Sequence, residues 1–103
     1  MLLPERKNDS RELVGKTVKR LRAELGLTQK ELASRLGIEY YSLIEQIEAG
    51  YISIPSSLWV PLAITLQMDR VLWVLRCLEE IQPEVYTALF TEIPPKHAAK
   101  AFK

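Results

Sequence analysis

Leu25-Gly26-Leu27-Thr28-Gln29-Lys30-Glu31-Leu32-Ala33-Ser34-Arg35-Leu36-Gly37-Ile38 is the stretch from which the fold is read. Gly26 can take the left-handed backbone conformation that closes a preceding helix without a steric penalty. Thr28 then offers a hydroxyl oxygen to the amides of a new helix, and Glu31, three residues on, completes a T-x-x-E capping box. With Leu32, Ala33 and Leu36 at helical spacing, a short helix is predicted over about 29–36, stopped by Gly37.

Upstream, Asp9-Ser10 supplies helix-start chemistry, and Leu13, Val14, Val18, Leu21 and Leu25 recur at spacings of one, three and four. That predicts a first helix over about 11–25. Downstream, Leu43, Ile44 and Ile47 predict a third helix over about 40–48, ended by Gly50. Ser56-Ser57 can cap a fourth helix reaching about Gln67, in which Pro61 costs little if it lies near the first turn. Asp69 caps a fifth segment whose Val71, Leu72, Trp73, Val74, Leu75, Cys77, Leu78 and Ile81 leave almost no polar face. Pro83-Glu84 begins a sixth, with Val85, Tyr86, Leu89 and Phe90. Trp73, Leu75, Leu78, Tyr86 and Phe90 are therefore the expected dimer or partner surface, because so much apolar area needs covering. Residues 1–9 read as a flexible arm, 10–68 as the central domain, 69–92 as the C-terminal helices and 93–103 as a basic tail after Pro94-Pro95.

The chain has 103 residues, 48% of them hydrophobic and 26% charged, which suits one all-α globular domain and excludes a low-complexity or disordered chain. One cysteine, Cys77, and one histidine, His97, cannot make a disulfide framework or a Cys/His zinc site, so no metal or other cofactor is expected. Nor is an enzyme: Ser56, Asp69 and His97 exist, but His97 falls in the tail, where no triad can be held in place. No apolar run approaches the ~20 residues that span a bilayer, and Met1-Leu2-Leu3-Pro4 lacks the apolar region of a signal peptide, so no membrane partner and a cytoplasmic location are expected. The net charge of +1 conceals an asymmetry. Residues 1–37 hold nine Lys/Arg against five acids, whereas residues 38–92 hold two against eight. A basic front suits a polyanion.

Three short helices with a glycine in the second turn meet the helix-turn-helix pattern. Leu21-Arg22, Leu25 to Gln29, Glu31-Leu32-Ala33, Leu36-Gly37-Ile38, Ile44, Ile47-Glu48 and Gly50, then Leu62-Ala63 and Leu66, together resemble the Cro and lambda-repressor type, or XRE family, across about residues 14–72. The resemblance implies a lambda-repressor-like five-helix domain, here with an additional C-terminal helix, that binds double-stranded operator DNA as a homodimer and regulates transcription. It places Thr28 and Gln29 at a DNA phosphate, and it matches Arg22 and Glu48 to a buried bridge between the first and third helices.

The residues extend those roles. Lys30, Lys16 and Lys19 form the most coherent cationic patch for phosphate. In the third helix Leu43, Ile44 and Ile47 face the core, leaving Tyr40, Tyr41, Ser42, Glu45 and Gln46 to reach base edges. Gln46 suits adenine, Glu45 suits the amino group of cytosine, and the tyrosines suit thymine methyls or phosphates. The chain departs from the family in three ways. Gly37 to Ile44 is one residue longer than the commonest spacing, which leaves the register of Glu39 to Ser42 open. The third helix contains no Lys or Arg, and Tyr51, Ile52 and Ser53 stand where basic residues often follow Gly50. These departures sustain an alternative, a protein-interaction module such as an antitoxin, anti-repressor or co-regulator, using Tyr40, Tyr41, Ile52 and Ile54.

Overall fold

A computed structural model describes residues 9–90, with side chains from Arg11 onward. The expected basic tail and all but the last residue of the expected arm lie outside the described residues, and His97 with them. The described chain is all-helical: α1 (Asp9–Glu24), α2 (Gln29–Arg35), α3 (Ser42–Ala49), a 3-10 turn (Ser56–Leu58), α4 (Trp59–Thr65), α5 (Arg70–Ile81) and α6 (Pro83–Phe90).

α1 lies on α3, α4 on α5 and α5 on α6, with α5 also touching α1. One cluster holds them, drawn from Val14 and Val18, Leu32 and Ala33, Ile44 and Ile47, Ile54, Trp59, Leu62, Ala63, Leu66, Trp73 and Cys77. α2, α3 and α4, of seven or eight residues each, are too short to be stable alone in water beyond a marginal population, so this burial makes them persist. Leu13 and Leu25 belong to the expected apolar set of α1 yet are 53% and 38% exposed. Leu13 neighbours Val14 and is rotated off the buried stripe by the 100° step of the helix, whereas Leu25 lies past Glu24, in the turn that follows α1.

At α2 the expected chemistry is built in full. The Thr28 hydroxyl accepts from the Glu31 amide at 3.0 Å, and the Thr28 amide donates to Glu31 Oε1 at 2.8 Å. Gly37 follows with φ +73°, and the Ile38 amide returns to the Ala33 carbonyl at 2.8 Å. The turn from Ile38 to Tyr41 absorbs the extra residue, so α3 starts at Ser42 and not at Tyr40. Tyr41 is its N-cap and makes no side-chain cap bond, since a phenol oxygen at the end of a ring cannot fold back onto the helix's own amides.

The fourth helix is shorter than the expected span to Gln67. The 3-10 turn carries its first residues, and Pro61 occupies the third position of α4, where its missing N–H would have had no intrahelical partner. Trp59 is buried and donates from Nε1 to the Ile54 carbonyl at 2.9 Å, tying down the passage after α3. Gln67 ends α4 in the left-handed region at φ 61°, a conformation no residue pattern announced. Asp69 then caps α5 by accepting from the Leu72 amide at 2.9 Å.

Two places generate tests. A Cβ on Gly15 would run into the Ile47 carbonyl oxygen and come within 2.9 Å of that of Glu48, so α1 and α3 can cross this closely only over glycine. Gly15→Ala should destabilise the domain by about 2 kcal/mol or more, read as a drop of roughly 8 °C or more in Tm. The second is Glu80, whose Oε2 is buried with no hydrogen-bond partner among the described residues. Burial raises its carboxyl from 4.5 to about 7, against the opposing pull of Arg11 and Arg76. Protonated Glu80 therefore favours the folded state. Its contribution is complete below pH 4.5 and is lost as pH rises through about 7. Thermal melts of Glu80→Gln should show a flatter dependence on pH across that window than the wild type.

Candidate nucleic-acid interface

α1, α2 and α3 converge on one carboxylate. Glu48, with its side chain only 3% exposed, receives Arg22 Nε on Oε2 at 2.6 Å and Arg22 Nη2 on Oε1 at 3.0 Å. Gln29 Nε2 donates to the same Oε1 at 2.9 Å, and the remaining arm of Arg22, Nη1, reaches the Leu27 carbonyl at 2.7 Å. Four hydrogen bonds thus join the end of α1, the turn, the first residue of α2 and the last turn of α3. The Gln29 contact had no signal in the sequence. It uses one of the two Nε2 hydrogens of Gln29, whose side chain is half-buried.

Around this frame, α3 divides cleanly. Ile44, Ile47 and Glu48 are buried and Leu43 is half-buried, whereas Tyr41, Ser42, Glu45 and Gln46 are exposed along one face. Tyr40 precedes them, 70% exposed. All five expected base-reading residues therefore stand at the surface, with Tyr40 and Tyr41 before the helix and not within it. The register left open by the longer spacing closes on Ser42, Glu45 and Gln46, three and four apart.

The phosphate candidates fall into two groups. Thr28, Gln29 and Lys30 sit together at the start of α2, and the Lys30 ammonium lies 5.5 Å from the centre of the Tyr41 ring. Thr28 uses its hydroxyl oxygen as an acceptor for the Glu31 amide. The Thr28 amide and hydroxyl hold the Glu31 carboxyl below its ordinary value, so Glu31 is charged and locked into the cap. Lys16 and Lys19 stand exposed on α1, joined to that cluster by no hydrogen bond or ion pair among the described residues. Arg20 is partly neutralised by Glu24 at 3.1 Å.

The expected partner surface is redistributed. Trp73 is 5% exposed and belongs to the core, and Leu75, Leu78 and Tyr86 are half-buried. Of those five residues only Phe90 is well exposed, at 57%, with its ring 4.7 Å from that of Tyr86. Trp73 turns inward because it shares one helical stripe with the buried Cys77, four residues on. Besides Phe90, the outward apolar side chains include Val60 and Ile64 of α4, Val71 and Leu72 of α5, and Val85 and Leu89 of α6. Ile54, expected beside the tyrosines, is 3% exposed and is core.

Burial raises the Cys77 thiol to about 12, so it stays protonated and is a packing group. No cluster of His, Cys, Asp or Glu suited to a metal occurs among the described residues, and none of their helices is long and apolar enough to cross a membrane.

A family model described as Helix-turn-helix matches residues 18–70. Among solved structures, the fold is similar to that of the clp gene regulator ClgR from C. glutamicum, with a TM-score of 0.58 and 19% identity over 76% of this chain and 99% of that one. It is also similar to a hypothetical transcription factor, NHTF, from Neisseria, with a TM-score of 0.56 and 20% identity over 88% of this chain and 98% of that one. No curated protein matches the sequence.

The bridge has a direct test. Arg22→Met leaves the Glu48 carboxylate buried without its counter-charge and should cost about 3 kcal/mol in urea denaturation. The Arg22→Met/Glu48→Met double variant should be more stable than the Arg22→Met single variant, because removing both charges relieves the stranded one.

Proposed function

We propose that this chain, which belongs to the XRE-type helix-turn-helix family, is a DNA-binding transcription regulator that acts in the cytoplasm by binding and not by catalysis, with α3 in the major groove of an operator. The observation that carries this reading is the partition of α3. Its apolar side chains are consumed by the core, and its polar ones form a single exposed face next to the start of α2. An α-helix fits the major groove, and side chains at three- and four-residue spacing meet successive base edges there. Gln46 offers both an acceptor and a donor to adenine. Glu45 accepts from the cytosine amino group, and Ser42 and Tyr40 add shorter or more adaptable contacts. Thr28, Gln29 and Lys30 bind one phosphate stretch at the start of α2, and Lys16 and Lys19 supply further attraction from α1.

α3 brings no cation of its own, so one subunit alone binds weakly. A homodimer on two half-sites about one helical turn apart offsets this. The second copy is placed against the α4–α5 face, where Val60, Ile64, Val71 and Leu72 are between 42% and 67% exposed and Leu75 adjoins them. Adjacent half-sites bring the two copies together at high effective concentration, so the dimer forms on DNA.

One observation favours a second reading, a protein-binding module. The groove-facing end presents Glu39, Tyr40, Tyr41 and Glu45, and Tyr51 is 63% exposed close behind α3. Acids repel a phosphate backbone, and exposed tyrosines suit a protein interface.

Selection from randomised duplexes, followed by fluorescence anisotropy at two salt concentrations, separates the two. The DNA reading expects a two-fold symmetric motif, and Gln46→Ala should lose about 1–3 kcal/mol of discrimination at one symmetric pair of positions. Leu72→Lys should weaken the two-half-site complex and leave binding to one half-site unchanged. Motif-free binding that disappears with modest salt favours the protein-binding reading instead.

A further inference from the structure

Lys30 and Tyr41 belong to different helices' beginnings, and the sequence gives no reason to connect them. In the structure the Lys30 ammonium sits 5.5 Å from the centre of the Tyr41 ring, within range of a cation–π attraction. Tyr41 is 42% exposed and makes no cap bond, so neither packing nor hydrogen bonding by its own helix fixes the ring. Beside it lies a hollow of about 350 Å³ lined by Lys30, Ala33, Ser34, Ile38, Glu39 and Tyr41. The ring therefore has room to swing inward. The ammonium above it opposes that movement.

We propose that Lys30 is a positioning residue for Tyr41. The ammonium neutralises a DNA phosphate and at the same time pins the tyrosine ring so that it packs on the 5-methyl group of a thymine facing the start of α3. Phosphate contact and base selection at that position are thus one coupled event. This rests on the operator-binding reading above. On that reading the Lys30 cation, next to Gln29 at the start of α2, meets the backbone, while the ring it holds belongs to the residue immediately before α3. An apolar ring has no pattern of donors and acceptors with which to read a base, and thymine's methyl group is the apolar feature of the major groove. Tyr40, more exposed and without such a restraint, makes no comparable selection.

The two groups predict a signature that an ordinary phosphate contact lacks. A lysine that only neutralises phosphate weakens all sequences alike and lowers the salt dependence. Lys30→Met should do this and should also flatten the preference for thymine at one position of each half-site by about threefold. Tyr41→Ala should flatten the same position by about tenfold, and the double variant should be no flatter there than Tyr41→Ala. Lys30→Arg and Tyr41→Phe should both keep the preference, since each retains the cation–ring contact and the ring. Replacing that thymine by uracil in the selected duplex, which removes only the methyl group, should weaken the wild-type complex and leave Tyr41→Ala unaffected. Both residues are exposed, so thermal melts should show all these variants folded.

If Lys30→Met weakens every sequence equally and the thymine preference stands, the pinning role is overturned. Loss of the preference in Tyr41→Phe would place the hydroxyl on a phosphate or base and overturn the methyl contact. A wild-type protein that selects no motif at all overturns the operator reading itself, and this inference with it. A motif indifferent to both residues overturns this inference alone.

Discussion

The mutual placement of α1, α2 and α3 hangs from the carboxylate of Glu48. A buried carboxylate loses the water that would solvate it, at a cost of several kcal/mol, and it persists only where donors replace that water with good geometry. Here Arg22 supplies two donors and Gln29 a third. Because Arg22 is on α1, Gln29 on α2 and Glu48 on α3, satisfying one charge sets the mutual placement of three helices. Arg22's last contact, to the Leu27 carbonyl, extends the same constraint to the turn between α1 and α2. A hydrophobic contact at this point would tolerate sliding by an ångström. Planar guanidinium against planar carboxylate does not.

That frame explains how a helix of eight residues can present a surface at all. α3 is too short to hold itself and has no side-chain N-cap, so its position comes from Ile44 and Ile47 below and Glu48 at its end. Gly15 lets α1 come close enough for the bridge to close, since any side chain there would meet the carbonyls of Ile47 and Glu48. What remains on the outside is then free to vary without cost to the fold. The acids Glu39 and Glu45 and the tyrosines sit there, and the basic charge is displaced to α1 and α2. The function proposed above assigns attraction and selection to different helices, which makes a contact between them, such as Lys30 with Tyr41, consequential.

The C-terminal helices follow a different logic. α5 offers more apolar surface than α4 and α6 can cover, and its two sides are distinguished by the helical step alone. Trp73 and Cys77 turn in, while Val71 and Leu72 turn out. Trp73 keeps an indole N–H buried with no acceptor among the described residues, a cost of about 1–3 kcal/mol set against the large area the ring removes from water.

The amino-acid sequence determined the element order, the T-x-x-E cap at α2, the glycine-ended helices, the pairing of Arg22 with Glu48 through family resemblance, and the inward set Leu43, Ile44 and Ile47. These are local or periodic properties: capping depends on residues three apart, and a core stripe on residues three and four apart. Only the tertiary structure decided that α3 begins at Ser42, that Gln29 joins the bridge, that Lys30 lies over Tyr41, and that Trp73 is core while Val60, Ile64, Val71 and Leu72 are surface. Each of these depends on how far one helix is rotated and shifted against another. That rotation is set by the balance of a buried charge, a glycine crossing and the volume of the core. None of these is a property of any single window of sequence.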